Sequence, residues 1–252
     1  MRSADGVPLR KDISMFNHVK QNRAYQDVVE QVQEAIIAGT LKPGSLLPAE
    51  RELKEQFGVS RGTLREALRV LEQKGLIEIR TGVAGGSIIR EVNSEQLSEN
   101  LGLLIRNRTV SLRDLAEFRE GMEGGVAALA VQRGKEQDMA LLNGLLLEAE
   151  EHLKKGRKGW DAFIRTDEML HMALARMSGN QLFISVLESV YYNIHTYYEN
   201  YLPRNKKILQ ENFNDLRAIV AAVTGGDAEA ARELAQGHVR RFNAYMEEKE
   251  TL

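Results

Sequence analysis

The stretch FGVSRGTLREALRVLEQKG, residues 57–75, decides how the N-terminal part of the chain folds. Gly58 suits the left-handed end of one helix and Ser60 suits the N-cap of the next, so a very short turn joins the two. Arg61 and Arg65 lie on one outer face of the second helix, because residues four apart are neighbours on a helix surface. Its inner face is apolar and consists of Leu64, Ala67, Leu68 and Leu71. The pattern predicts a helix-turn-helix whose second helix has an exposed, basic start.

The residues on either side of this stretch complete a small domain. Apolar residues at helical spacing over 25–36 predict a first helix. The connector LKPGSLLP, residues 41–48, follows, and Pro48 suits the opening position of the helix that ends at the Gly58 turn. The segment LIEIRTGVAGGSIIREV, residues 76–92, predicts two strands around the mobile turn GVAGG. Three helices and a hairpin predict a winged helix-turn-helix over residues 24–92.

The helix that carries Arg61 and Arg65, called the reading helix below, has a basic start that suits DNA. The free N–H groups and the dipole of a helix start attract phosphate, and arginine can bind phosphate or a guanine edge through two hydrogen bonds. Gly62 has no side chain and lets the backbone approach closely. A helical hairpin that contacts another protein is the alternative, and the arginines, the glycine and the wing favour DNA.

Charge supports DNA binding only locally, because the formal net charge of the whole chain is −2. Residues 60–90 hold six basic and three acidic side chains, and residues 1–23, an N-terminal extension, hold five and two. Either patch could also be an ordinary solvated face. The position of the first patch on the reading helix and the wing is what favours a role in binding.

Composition excludes several other classes of protein. The chain has 252 residues and no cysteine, so it has neither disulfides nor thiolate metal sites. No apolar run approaches the roughly 20 residues of a membrane helix, and the first residues lack the apolar core of a secretory signal. We therefore expect a cytoplasmic protein that does not bind membranes.

The rest of the chain predicts an all-α bundle. The polar stretch at residues 93–98 predicts a linker or the cap of the next helix, and residues 99–248 form the second domain, without any strand pattern. Seven helical segments are predicted near 95–107, 112–133, 136–155, 159–178, 180–201, 206–224 and 227–248. The fold class is therefore mainly α, with a winged helix-turn-helix followed by a helical bundle.

Polar residues interrupt two apolar stripes of this bundle. Asp167 and His171 lie one helical turn apart on a stripe of the fourth segment, and His238 lies on a stripe of the seventh. A buried carboxylate needs a cation or hydrogen-bond donors, because leaving it unpaired is costly. The three residues could hold a divalent metal ion. A hydrogen bond between Asp167 and His171 is the alternative, and it is the commoner arrangement for an isolated pair at this spacing.

The first domain resembles the DNA-binding domain of a known family. The segment GTLKPGSLLPAERELKEQFGVSRGTLREALRVLEQKGLIEIRTG, residues 39–82, is similar to the N-terminal domain of the GntR family of bacterial transcription regulators. The resemblance implies that Arg51 holds the DNA backbone. It further implies DNA contacts from the reading helix and the wing, at Ser60, Arg61, Thr63, Arg65, Thr81 and Gly82.

The second domain resembles the FCD effector-binding domain of the FadR-type branch of that family. Three segments carry the resemblance: LRDLAEFREGMEGGVAALA at 112–130, DEMLHMALARMSGN at 167–180 and LRAIVAAVTGGDAEAARELAQGHV at 216–239. Their order along the chain and their spacing match that domain.

The resemblance also implies a metal site. Metal-binding members use one aspartate and three histidines, and Asp167, His171 and His238 match three of those places. Leu216 stands where the remaining histidine would be. The resemblance therefore implies a divalent ion, zinc, nickel or manganese, with water or an effector carboxylate in the open position.

Together these features predict a homodimeric transcription regulator that binds an operator and responds to a small organic acid. We expect Arg119 to pair with the acid, since guanidinium binds carboxylate through two hydrogen bonds, although an ion pair with Glu123 is equally compatible with the spacing. His195 is predicted as a wall of the effector pocket, with a role as substitute metal ligand as the alternative.

Two other functions compete with this interpretation. A metal-dependent enzyme could use the Asp167, His171 and His238 cluster, but the sequence has no His-Glu-x-x-His, Gly-x-Ser-x-Gly or phosphate-loop pattern, and we expect no enzyme. An architectural DNA-binding protein without a ligand would not need an inward-facing polar cluster.

Overall fold

The computed structural model describes residues 23–82, 85–91, 94–107 and 109–250. The chain divides into two packed units between Val92 and Asn93. The N-terminal extension predicted over residues 1–23 lies outside the described residues, apart from Arg23 at the start of the first helix.

The first unit has three helices and a two-stranded sheet. Its elements are α1 (Arg23–Ile37), α2 (Glu50–Phe57), α3 (Arg61–Gln73), β1 (Ile77–Arg80) and β2 (Gly86–Ile89). The strands are antiparallel, with Ile77 opposite Ile89, and both of these side chains are buried in the core of the unit. Leu64 and Leu71 of α3 are fully buried in the same core. This is the predicted winged helix-turn-helix.

The turn between α2 and α3 forms as the sequence predicts. Gly58 adopts a φ of 64°, the left-handed conformation that ends α2. The Ser60 hydroxyl accepts a hydrogen bond of 3.1 Å from the Thr63 backbone amide and so caps α3. The start of α3 is therefore fixed by its own first residues.

The start of α2 differs from the prediction. Pro48 does not open the helix, which begins two residues later, at Glu50. Ala49 has extended backbone angles, and its carbonyl accepts the first helical bonds, from the amides of Glu52 and Leu53. Pro48 therefore ends the connector, because the chain turns into the helix only after Ala49.

The second unit is entirely helical over the residues that the structure describes. Its elements are α4 (Glu95–Arg106), α5 (Leu112–Arg133), α6 (Glu136–Lys154), a 3-10 turn (Gly156–Gly159), α7 (Trp160–Met177), α8 (Gln181–Tyr201), α9 (Lys206–Thr224) and α10 (Ala228–Glu250). Among the described helices none is both long enough and apolar enough to cross a membrane.

The polar stretch at 93–98, predicted as a linker or as the cap of the next helix, overlaps the helix predicted from residue 95, and that helix is observed. Helix α4 begins at Glu95, and the Ser98 amide already bonds the Ser94 carbonyl. The polar residues that suggested a linker form the first turn of this helix, since glutamate and glutamine are good helix formers.

Helix α7 lies at the centre of the second unit. Of its 18 residues 12 are buried, and α5, α6 and α8 all pack against it. A helix buried on most of its surface is normally apolar all round. The buried polar residues Asp167 and His171 of α7 are therefore exceptional, and α10, which packs along α5 and α9, brings His238 to them.

The cap of α3 gives the first testable prediction. We expect Ser60→Ala to destabilise α3 by about 1 kcal/mol, whereas Ser60→Gly should cost only about a few tenths, because glycine tolerates the N-cap position. Both changes remove the hydroxyl that could contact DNA, so only stability distinguishes them. Hydrogen exchange of the α3 amides in the full-length protein measures the difference, and equal losses for the two variants would show that the cap contributes nothing.

Candidate functional site

The start of α3 presents two arginines to solvent. The side chains of Arg61 and Arg65 are 72% and 53% exposed. Glu50, the first residue of α2, accepts a hydrogen bond of 3.0 Å from the Arg65 Nε, and its carboxylate lies 3.6 Å from the Arg61 Nε. An exposed ion pair of this kind contributes little to stability. It does restrain both side chains before a ligand arrives, which lowers the entropy that binding would cost.

The other predicted DNA contacts lie on the surface of the same unit. Arg51, Thr81 and Gly82 are exposed, and Thr63 is half-buried with its hydroxyl 2.8 Å from the Ser60 hydroxyl. The Ser60 oxygen already serves the helix cap. Gly82 has a φ of 107°, a conformation that favours glycine at the edge of the wing. Residues 83–84 of the predicted mobile turn lie outside the described residues.

A second candidate site lies inside the helical unit. Asp167, His171 and His238 are 2%, 3% and 2% exposed, and their potential ligand atoms lie within 4.8 Å of one another. The Asp167 Oδ1 is 3.8 Å from the His171 Nε2 and 3.6 Å from the His238 Nε2. The two imidazole rings stack with centroids 5.0 Å apart. The structure thus brings together all three residues that the sequence singled out.

These distances discriminate between a hydrogen bond and a metal ion. Both exceed the usual hydrogen-bond length, and neither the Asp167 Oδ1 nor the His171 Nε2 has a hydrogen-bond partner among the described residues. Ligands bound at about 2.1 Å to a tetrahedral ion lie roughly 3.4 Å apart, close to the observed separations. The donor set, one carboxylate and two imidazoles, is one that zinc and similar ions accept. The cluster therefore fits a metal ion better than the Asp–His hydrogen bond.

The other ring nitrogen of His171 has a strong partner. The His171 Nδ1 lies 2.6 Å from the Glu123 Oε2, and the same oxygen accepts a hydrogen bond of 3.0 Å from the Tyr191 hydroxyl. The Arg119 Nε donates to the Glu123 Oε1 at 2.6 Å. Both Arg119 and Glu123 are buried, so this ion pair lies entirely within the protein. It orients His171 with its Nε2 towards Asp167.

The charge of Glu123 is maintained by its neighbours. Burial alone would raise the pKa of its carboxyl, but the Arg119 guanidinium and then His171 hold that pKa well below its ordinary value. Burial also raises the pKa of the Tyr191 hydroxyl, which stays a hydrogen-bond donor. The carboxylate is therefore ionised and can accept a hydrogen bond from the His171 Nδ1.

A carboxylate also lies near the second ring nitrogen of His238. Its Nδ1 lies 3.5 Å from the Asp215 Oδ2, and the Asp215 Oδ1 lies 3.2 Å from the Arg241 guanidinium. Asp215 is on α9, directly before the buried Leu216. Glu123 thus orients His171 in the way that acidic residues orient histidine ligands in metal sites, whereas the His238 Nδ1 has an acidic neighbour but no hydrogen bond among the described residues.

Arg119 pairs with Glu123, the alternative to an effector carboxylate. Its Nε bonds Glu123, and its terminal nitrogens donate to the hydroxyls of Tyr198 and Tyr191, both at 3.0 Å. In the structure Arg119 therefore holds Glu123 instead of presenting an unpaired guanidinium to an acid. A contact between Arg119 and an effector stays a prediction that the structure does not test.

His195 lies outside the cluster. Its Nε2 is 3.0 Å from the Glu168 carboxylate, its side chain is 44% exposed, and the Glu168 hydrogen bond raises the pKa of the imidazole. His195 lines an open pocket of about 500 Å³ that Tyr198 also lines. Since the Tyr198 hydroxyl bonds Arg119 on its other side, this ring separates the pocket from the buried ion pair.

Sequence reasoning missed several residues around the cluster. Tyr191 and Asp215 carry no signal in the sequence, because their roles depend on which helices meet. Asn212 could have been found, because it interrupts the apolar stripe of α9 in which Leu209 and Leu216 lie.

Comparison with known proteins gives two family matches. Residues 24–85 match the bacterial regulatory proteins of the gntR family, and residues 114–241 match the FCD domain. The HTH-type transcriptional regulator LutR of Bacillus subtilis is 30% identical over 218 residues, which cover 83% of this chain and 97% of the relative. The Glc operon transcriptional activator of Escherichia coli K12 is 31% identical over 224 residues, 84% of this chain and 85% of the relative.

A solved structure has a similar fold. The structure described as Streptococcus agalactiae GntR is 25% identical and aligns with a TM-score of 0.69, covering 87% of this chain and 99% of that one. The similarity extends over both units.

The exposed arginines of α3 give the second prediction. On a duplex selected from a random library, we expect Arg65→Ala to cost about 1–3 kcal/mol of binding free energy and to relax base preference, the usual effect of losing a base-reading arginine. Arg51→Ala should weaken selected and scrambled duplexes alike, because a backbone contact carries no sequence information. Fluorescence anisotropy measures both. Equal losses on the two duplexes for Arg65→Ala would remove it from the base-reading residues.

Proposed function

Because this chain belongs to the GntR family of bacterial regulatory proteins and carries an FCD domain, we propose that a small organic acid, bound beside a metal ion in the helical unit, controls its affinity for an operator. The chain is a DNA-binding transcription regulator whose second domain binds a ligand. The metal, the acid and the residues that hold them are the proposed part. The observation that carries it is the buried group of Asp167, His171 and His238, with atoms that lack hydrogen-bond partners among the described residues.

Three protein ligands define an open site. Asp167, His171 and His238 would hold zinc, nickel or manganese, and no fourth protein ligand comes from Leu216, which is apolar and buried. When bound, the ion supplies a positive charge and an open coordination position that suits a carboxylate. A small organic acid therefore has a reason to bind here, and water fills the position without it.

The residues behind the histidines prepare the site for the ion. Glu123 accepts a hydrogen bond from the protonated Nδ1 of His171, which leaves the Nε2 lone pair to face the ion. Asp215 lies 3.5 Å from the Nδ1 of His238. Arg119 keeps Glu123 in place through their ion pair and ties it to α8 through two tyrosine hydroxyls. A change at the site can therefore reach α5 and α8 as well as α7.

The pocket beside Tyr198 provides a route for the acid. It is open to solvent and is lined by His195 and by the arginines Arg165 and Arg204. An acid that enters there meets Tyr198. A movement of the Tyr198 ring would free the terminal nitrogen of Arg119 that bonds it, and that nitrogen could pair with one carboxylate oxygen while the Arg119 Nε stays on Glu123. We propose this as the role of His195 and Arg119 towards the effector.

Homodimerisation would place two reading helices on one operator. The first two helices of the helical unit expose apolar side chains that a partner could cover: Leu97, Leu103, Leu104 and Phe118. Their exposed fractions are 44%, 51%, 45% and 40%, high for leucine and phenylalanine. Gly124, by contrast, packs inside the chain, since a Cβ there would lie 2.6 Å from the Gln236 side chain. We propose that the exposed faces of α4 and α5 form the dimer interface.

The open metal site gives the third prediction. In isothermal titration of metal-stripped protein with zinc, nickel or manganese, we expect binding by the wild type and none by Asp167→Ala or His238→Ala, because each removes one of only three ligands. Leu216→His should tighten binding by supplying a fourth.

His195→Ala is the matched control, because it removes a histidine of the same unit that lies outside the cluster. We expect it to bind metal like the wild type. If the wild type and His238→Ala behave alike with every metal, the cluster is metal-free. An effector would then bind His171 and His238 directly.

The exposed apolar face gives the fourth prediction. We expect the full chain to sediment as a dimer at micromolar concentration and Phe118→Lys to sediment as a monomer, because a charge in an apolar interface is costly to bury. Leu147→Lys is the control, since Leu147 is also exposed, at 65%, but lies on α6. A Phe118→Lys dimer as stable as that of the wild type would place the interface elsewhere.

A further inference from the structure

The side chain of Asn212 is buried without a hydrogen bond. It is 3% exposed, and neither its amide nitrogen nor its carbonyl oxygen has a partner among the residues that the structure describes. A buried polar group without a partner destabilises the fold, and an amide has two such groups. An apolar residue of the same shape would avoid this cost, which points to a binding role for the amide.

The position of Asn212 on α9 directs it towards the cluster. Residues three and four apart share one face of a helix, so Asn212 lies on the face of Asp215 and Leu216. Asp215 lies 3.5 Å from the His238 ring, and Leu216 occupies the place that the family resemblance gives to a metal ligand. Viewed along the axis of α9, Asn212 projects between Asp215 and Leu216, one turn closer to the N-terminus of the helix.

The facing residues of α10 define what Asn212 meets. Tyr245 of α10 bonds Glu211, the residue before Asn212, so the two helices are aligned there. One turn earlier on α10, the Phe242 ring stacks on His238 with centroids 6.0 Å apart and meets Tyr198 edge-on at 5.2 Å. Asn212 is therefore level with the aromatic residues that separate the cluster from Tyr198.

The chemistry of an amide restricts what can satisfy it. Its NH₂ donates and its carbonyl accepts, and both are without a partner. A carboxylate only accepts and would leave the amide carbonyl unpaired. A hydroxyl can donate to the amide carbonyl, which a carboxylate cannot do, while the adjacent carboxylate occupies the open metal position.

We infer that Asn212 recognises a hydroxyl group of the effector, which is therefore a small hydroxy acid and not a plain carboxylic acid. This inference rests on the proposed function, since it requires the acid to be bound at the Asp167, His171 and His238 cluster. It assigns Asn212 the role of a specificity-determining residue, because the unpaired amide penalises an acid that lacks the hydroxyl.

Matched pairs of acids test the assignment. The full-length protein loaded with zinc is titrated calorimetrically with glycolate and acetate, with lactate and propionate, and with malate and succinate. In at least one pair we expect the wild type to bind the hydroxy acid roughly tenfold or more tightly than its partner. Asn212→Leu, which keeps the shape of the side chain, should bind both acids of that pair with the affinity that the wild type has for the plain acid.

Asn214→Leu is the matched control. Asn214 lies on the same helix two residues away, exposed and paired with Gln210, so the same change there should leave the preference for the hydroxy acid intact. If Asn212→Leu keeps the full preference, or if the wild type binds both acids of every pair equally well, the role of Asn212 is disproved while the proposed function stands. A wild type that binds no acid of the six contradicts the proposed function and this inference together.

Thermal unfolding separates recognition from a structural role. We expect ligand-free Asn212→Leu to melt at or above the temperature of the wild type, because the change removes two unpaired buried polar atoms. If the amide held the fold together, this variant would melt at a lower temperature and would lose affinity for both acids of a pair equally. That result would overturn the assignment.

Discussion

The buried ion pair between Arg119 and Glu123 is the interaction on which the helical unit depends. Both side chains are almost fully buried, and removing two charges from water is expensive even when they meet. An apolar pair of similar volume would often be as stable, so stability alone does not explain it. The pair instead fixes the position of the His171 Nδ1 and connects α5 to two tyrosines of α8. The desolvation cost of the buried pair is consistent with a role in positioning His171.

This constraint helps to explain the geometry of the cluster. Glu123 holds His171 from one side and Asp215 stands beside His238, so the Asp167 oxygen and the two imidazoles face one another at distances too long for hydrogen bonds. The proposed metal site is thus held in place by residues that are not themselves ligands, an arrangement that lowers the entropy cost of binding. The proposed effector would act on helices that the same residues already connect.

The local features of both units could be predicted from the sequence. The Gly58 turn, the Ser60 cap and the exposed arginines depend on neighbouring residues, and they appear where the sequence placed them. Asp167 and His171 were recognisable because they interrupt an apolar stripe. The helix boundaries were predicted less reliably. Pro48 and the polar residues near 95 are compatible with either a connector or a helix start, so the local sequence does not decide between the two.

The residues around the cluster could not be predicted because their roles arise from contacts between distant helices. Tyr191 lies 68 residues from its partner Glu123 in the sequence, and Asp215 meets His238 only because α9 packs on α10. For Arg119 the sequence indicated a partner but not its surroundings. Its spacing to Glu123 was visible in the sequence, but the burial of that ion pair and its hydrogen bonds to Tyr191 and Tyr198 depend on how α8 packs against α5.

X-ray absorption at the zinc K-edge of the zinc-loaded full-length protein reports the ligands of the ion itself and so tests whether Asp167, His171 and His238 hold it. An ion at this cluster should show two imidazole nitrogens together with oxygen ligands at about 2.0–2.1 Å. Addition of a bound acid should change the oxygen shell and leave the imidazole signal unaltered. A spectrum of an oxygen-only shell without imidazole scattering would show that zinc does not bind at His171 and His238, and would contradict the account.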